Sequence, residues 1–170
     1  MPNSVLQDRV ALFGTGLVHI TQLQPQKSRV LLLLNDCLGA YYSSKNIDLK
    51  LTCLLEFLIA DLALASHSIV SLTLTSSSLL SRVIKAYAPS AIICHAFLVP
   101  HLLEHLYDEG HRHVEYTIIV VGEPTKGTMA SVASNLKIVR FEDVEREGTK
   151  RVKVLSPIPS KSLLLSFGAC

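Results

Sequence analysis

The sequence predicts an α/β domain, a mostly parallel sheet flanked by helices. Short apolar runs bounded by turn residues alternate with longer stretches whose apolar residues recur at helical spacing. At 170 residues, 49% of them hydrophobic and 18% charged, the chain can bury a core and is too apolar to stay disordered. Strands that alternate with helices are most simply joined as parallel neighbours with the helices on the sheet's faces. No internal repeat or hinge marks a second domain, so residues 1–155 are expected to form the α/β unit and residues 156–170 a divergent C-terminal tail.

Between Asp8 and Leu23 the residues Val10, Leu12, Phe13, Leu17, Val18 and Ile20 suit a helix, and Gly14 and Gly16 allow a neighbour to approach closely. Pro25 ends it. Cys37–Tyr42 reads as a short buried strand, followed by a Ser43–Asn46 turn. Leu51, Leu54, Leu55, Leu58, Ile59, Leu62 and Ala63 then form a helical stripe, with Glu56 and Asp61 on a wet edge away from it. Ile69–Leu74 is a strand, Ser76–Ser78 offer an N-cap, and Leu79–Tyr87 is a helix closed by Pro89. Ala91–Cys94 is the next strand, and Pro100 stands where the first turn of a helix tolerates it, with Gly110 closing that helix. Tyr116–Val121 is the clearest strand. After a loop come a strand at Lys137–Arg140 and a short polar helix, Phe141–Glu147, stopped by Gly148.

The formal charge of +2 is too small to argue for a nucleic-acid partner. Cys37, Cys53, Cys94 and Cys170 form no CxxC pair and lie mostly in apolar stretches, which suits buried thiols in a reducing compartment. The opening "MPNSVLQDRV" lacks the basic-then-apolar pattern of a secretory signal. Leu51–Leu74 is apolar enough to suggest a membrane span, but Glu56, Asp61 and His67 interrupt it. A central acid costs about 2.5–3.5 kcal/mol in a bilayer, so the segment is expected in a protein core. The cytoplasmic side is the expected location.

Few local patterns carry chemistry. "HLLEH", His101 to His105, matches H-x-x-E-H on a helix, which sets two histidines on one face as zinc ligands with Glu104 as a base. A catalytic zinc needs a third protein ligand, and the enzymes with this motif take a distant glutamate. None is evident, so the expectation is a solvent-facing pair on a helix whose core side is Leu98, Leu102, Leu103 and Leu106, with no structural or catalytic zinc. His111 and His113 lie just beyond. "GTGLVH", Gly14 to His19, lacks the third glycine and the preceding strand of a dinucleotide fingerprint and reads as helix packing. "GEPTKGT", Gly122 to Thr128, follows a good strand, but its lysine precedes the second glycine and no apolar helix follows, so it reads as a loop. No G-x-S-x-G elbow is present. The acidic run "FEDVEREG" reads as a solvated helix.

Taken in order, several stretches resemble the N-terminal region of adenylate-forming enzymes, in particular the eukaryotic long-chain fatty-acyl-CoA synthetases. "ALFGTGLVHITQLQP" resembles the opening helix and its exit, and "LGAYYSSKN" the first strand and Ser-x-Asn turn. "LIADLALASHSIVSLTL" resembles the following helix and strand, and "APSAIICHAFLVPHLLEHL" the next strand and helix. "VEYTIIVVGE" and "LKIVRFEDVEREG" resemble the strand pair and acidic helix that precede the catalytic core. The match covers roughly residues 8–150 and lies in the order of many short pieces.

The departures are as specific. Glu56-Phe57 stands where the family has Glu-Trp, displaced by an insertion that includes "IDLKLTC". "TSSSLL" replaces the expected Tyr-Asp-Thr-Leu-Gly. Past Pro159, where the family has Thr-Ser-Gly-Thr-Thr-Gly-x-Pro-Lys-Gly, this sequence reads "SKSLLLSFGAC". The resemblance therefore implies a truncated N-terminal fragment of a long-chain fatty-acid–CoA ligase, inactive alone. ATP, magnesium and coenzyme A are the cofactors, and a fatty acid the substrate, of the complete family enzyme. No catalytic, cofactor-binding or metal residue carries over to this chain. The family also implies membrane association, and an uncovered apolar surface at Leu163, Leu164, Leu165 and Phe167 would favour self-association. The alternative reading is a non-catalytic α/β binding or interaction module.

Overall fold

The computed structural model describes residues 3–33, 47–74, 79–108, 115–123 and 136–155. Helix α1 (Asn3–Thr21) leads into strand β1 (Arg29–Leu32), followed by helix α2 (Ile47–Ser66) and strand β2 (Val70–Thr73). Helix α3 (Leu80–Tyr87), strand β3 (Ala91–His95), a 3₁₀ turn (Ala96–Leu98) and helix α4 (Val99–Asp108) come next, then β4 (Tyr116–Val121), β5 (Leu136–Arg140) and α5 (Phe141–Leu155). The five strands form one sheet in the order β2-β1-β3-β4-β5, and every pair is parallel. The expected α/β architecture is what the chain forms.

Helices cover both faces. Val30 and Leu32 of β1, Ala91 and Ile93 of β3, and Ile119 and Val121 of β4 point to the side packed by α1, α2 and α5. Their alternates Leu31, Ile92, Cys94, Ile118 and Val120 point to the side packed by α3 and α4. The inner strands β1, β3 and β4 are thus buried on both faces, the usual condition of a parallel sheet.

Strand β1 lies inside this sheet, between β2 and β3, where the sequence suggested no strand. After a turn at Pro25–Lys27 and the exposed Arg29, Val30–Leu33 is a continuous apolar run with no alternation to reveal it, because both of its faces are covered. The strand expected at Cys37–Tyr42, its turn, Ser76–Ser78 and the stop at Gly110 lie outside the described residues. The N-cap of α3 is Leu79, which offers no side-chain cap, in place of the serine expected from Ser76–Ser78.

Two other expectations change. In α2 the stripe is rotated from the one expected: Ile59, Ala60, Ala63 and Leu64 are buried and so is Glu56, whereas Leu58 and Leu62 are about two-fifths exposed, at 43% and 41%. A helix that is apolar almost all round does not fix its own rotation. Helix α5 runs through Gly148 to Leu155 instead of stopping there. Glycine costs about 1 kcal/mol in a helix interior, yet here it is required by the neighbour. A Cβ on Gly148 would overlap the carbonyl oxygen of Leu12, and one on Gly16 would overlap that of Val144.

These reciprocal glycines let α1 and α5 meet backbone to backbone, as the close approach expected of Gly16 requires. Around the contact, the rings of Phe13 and Phe141 stack at 4.1 Å between centroids. The Arg9 guanidinium donates to both carboxylate oxygens of Glu145, at 2.7 and 3.1 Å. Gly14 answers a different neighbour, since a Cβ there would overlap the His67 ring at the end of α2.

Candidate functional site

In a doubly wound parallel sheet, ligands bind outside the carboxyl ends of the strands, at the point where the strand order reverses. Here the chain leaves β1 towards β2 on one side and returns to β3 on the other, so that point lies between the carboxyl ends of β1 and β3. The described residues at this edge are Leu33 after β1, His95 and Phe97 at the end of β3, Gly122 and Glu123 after β4, and Arg140 at the end of β5.

His95 is the buried polar group of this edge, 7% exposed. Its Nδ1 accepts the Phe97 N–H at 3.4 Å and so caps the 3₁₀ turn that redirects the chain into α4. An accepting Nδ1 leaves the proton of the neutral ring on Nε2. That atom faces Gly122, where the backbone takes φ +82° and a Cβ would come within 3.3 Å of it. A glycine is what lets the chain leave β4 over the imidazole, because φ in this range strains any residue with a side chain. The neighbouring Cys94 is no nucleophile. Its side chain is fully enclosed, and burial pushes the thiol up to about 12.

The edge does not fit a magnesium–phosphate site in its described part. Its carboxylate, Glu123, is turned to the Arg140 guanidinium at 3.4 Å in an exposed pair. Among the described residues, no group of three His, Cys, Asp or Glu side chains converges to hold a metal ion. Gly122 and Glu123 are the described part of the "GEPTKGT" stretch, and its remaining residues lie outside the described set.

The histidine pair predicted on a helix is on one. His101 and His105 lie on α4, and their Nε2 atoms face each other at 3.3 Å. His101 Nδ1 lies 3.7 Å from a Glu104 carboxylate oxygen, and His105 Nδ1 lies 3.2 Å from the Ser81 hydroxyl in the first turn of α3. The helix holds them there by burying Leu102, Leu103 and Leu106 beneath, as its spacing predicts. Leu98, by contrast, lies in the 3₁₀ turn, half-buried, and of the expected solvent-facing pair only His101 is exposed, His105 being half-buried. Ser81 escaped sequence reasoning because 24 residues separate it from His105. His95 also escaped it, although a histidine closing an apolar strand is a visible signal. His111 and His113 lie outside the described residues.

The other patterns resolve into packing. "GTGLVH" lies within α1, where Gly14 and Gly16 admit His67 and α5. "FEDVEREG" is only partly solvated, since Phe141, Val144 and Gly148 are buried and Glu145 grips Arg9. Its Glu147 accepts from Lys150 and Arg151, and the Lys150 hydrogen bond chiefly holds that carboxyl below its ordinary value. Between α1 and α2 an apolar hollow of about 590 Å³ opens, lined by Leu6, Val10, Ala11, Thr15, Leu62 and His67 among others. The described thiol, Cys94, is free and buried. No described helix is long and apolar enough to cross a membrane. The stretch containing Leu163–Phe167 lies outside the described residues. No protein-family model matches the sequence, and no curated protein matches it either.

Proposed function

We propose that this chain is the N-terminal α/β framework of a long-chain fatty-acid–CoA ligase, a part that frames an acyl and nucleotide site without performing the adenylation. The observation that carries the reading is the order of elements along a parallel sheet. The opening helix, the α2–β2 and β3–α4 units, strands β4 and β5 and the closing acidic helix follow one another in the order of the matched stretches, whereas β1 belongs to none of them and the matched first strand lies outside the described residues. Adenylation needs backbone amides and hydroxyls around the phosphates, a magnesium ion and a placed cation. The 170 residues contain no run of the Thr-Ser-Gly-Thr-Thr-Gly type to supply them. The reading puts the chain on the cytoplasmic side and at membranes, with the family's enzymes.

The test has two arms. ATP–pyrophosphate exchange by the 170-residue chain, with a long-chain fatty acid and magnesium, is expected to equal the no-enzyme control. Transcripts read downstream of the Cys170 codon are expected to encode the phosphate-loop run. Exchange above control, or transcripts that all lack the run, would overturn the proposal. A second reading, a non-catalytic α/β binding module, draws on the apolar hollow between α1 and α2. Transcripts without the run would favour it.

A further inference from the structure

We propose that His101 and His105 form a two-histidine chelate for an exchangeable borderline divalent cation such as zinc, copper(II) or nickel. Two imidazole nitrogens bound to one tetrahedral zinc at 2.0–2.1 Å stand roughly 3.3–3.4 Å apart, the edge of the coordination tetrahedron. The Nε2 atoms of this pair are 3.3 Å apart. The two donor atoms thus stand at the right separation, and the edge-to-face rings, centroids 4.5 Å apart, need only turn to aim both lone pairs at one cation.

The outer atom of His105 supports the same arrangement. Metal-ligating histidines almost always engage the second ring nitrogen with a carboxylate, a carbonyl, a hydroxyl or water, which fixes the ring and its tautomer. Here His105 Nδ1 has the Ser81 hydroxyl at 3.2 Å, while the Glu104 carboxylate stands 3.7 Å from His101 Nδ1, beyond hydrogen-bond reach. Without metal, one Nε2–H donates to the other Nε2, and if that donor belongs to His105, its Nδ1 accepts from Ser81. Ligation needs both Nε2 lone pairs, so the His105 proton moves to Nδ1 and is donated to the Ser81 oxygen. A hydroxyl serves in both states because it donates and accepts. No net proton leaves a neutral pair.

The site is open. His101 is 47% exposed at its side chain and Glu104 74%, so water or an added anion can fill the remaining positions. Two protein ligands, with no third among the described residues, make a site that exchanges its cation and holds no permanent metal.

The untagged full chain is titrated with zinc, and separately with nickel, by calorimetry, with thermal melts run in parallel. One zinc per chain is expected, with affinity lowered roughly 100-fold in H101A and in H105A, more than most outer-shell losses, and roughly tenfold in S81A. Saturating zinc should raise the Tm of the wild type and leave that of H101A unmoved, since a ligand stabilises only the fold that binds it. The double variant H111A/H113A is expected to bind as the wild type does. Zinc binding unchanged in H101A, or abolished in H111A/H113A while H101A retains it, would overturn the proposal. Misfolding of a variant is excluded by its cooperative melt without metal.

Discussion

On one face of the sheet α1 and α5 touch through their backbones. On the other, α3 and α4 keep side chains between them, Ser81 and His105 included. The first contact has no room for an added atom, because each glycine is filled by the partner's carbonyl. The second leaves Ser81, His101 and Glu104 at the surface, where they can change partners without disturbing the leucines below. Rigidity and chemistry are therefore divided between the faces, and substitutions should separate them.

Phe141→Ala should have the largest effect. The ring is fully buried and stacked on Phe13, so truncation is expected to destabilise the chain by about 3–5 kcal/mol in urea unfolding. His101→Ala on the opposite face should fall within about 0.5 kcal/mol of wild type, as surface changes usually do. Similar losses from the two would abolish the contrast.

Gly148→Ala is next. Elsewhere in a helix this change adds about 1 kcal/mol of stability. Here the methyl meets the Leu12 carbonyl, so a loss of about 1–3 kcal/mol is expected instead. A gain in Tm would show that the helices do not meet as closely as described.

Cys94 gives the other face a pH signature. Its thiol is raised from 9.0 to about 12 by burial, so the folded chain keeps a proton that the unfolded chain has released. That stability is complete below pH 9 and is lost as the pH climbs towards 12, at up to about 1.4 kcal/mol per pH unit. Cys94→Ser or Cys94→Ala should flatten this alkaline slope in denaturation measured from pH 8 to 11. A slope unchanged by both substitutions would refute the assignment.

The smallest effect concerns Arg9 and Glu145. The pair is bidentate but partly solvated, with side chains 25% and 18% exposed, so a double-mutant cycle to alanine should return a coupling of at most about 1 kcal/mol, reduced in high salt. A larger coupling would make charge, and not close packing, the main lock between α1 and α5.

Helix α4 was legible because one side is exposed, its leucines set against its histidines. Strand β4, covered on both faces, was legible by its length, six residues between turn signals. Strand β1 has the same cover but only four residues and no alternation, and α2 lacks a phase because apolar residues nearly encircle it. Gly148 read as a stop since propensity is local, while its reason, Leu12, stands near the other end of the sequence. The site divides in the same way: "HLLEH" displayed the histidine pair, but nothing near it announced Ser81, and the resemblance offered no residue for His95.

The clasp between α1 and α5 also sets a schedule for the growing chain. Arg9 and Glu145 are 136 residues apart, and ribosomes add about 5–20 residues per second, so Arg9 is added to the chain roughly 7–27 s before its partner. Throughout that interval Phe13 and Leu17 have no α5 to cover them. The contact between the two ends of the sequence can therefore close only after residues 141–155 are made.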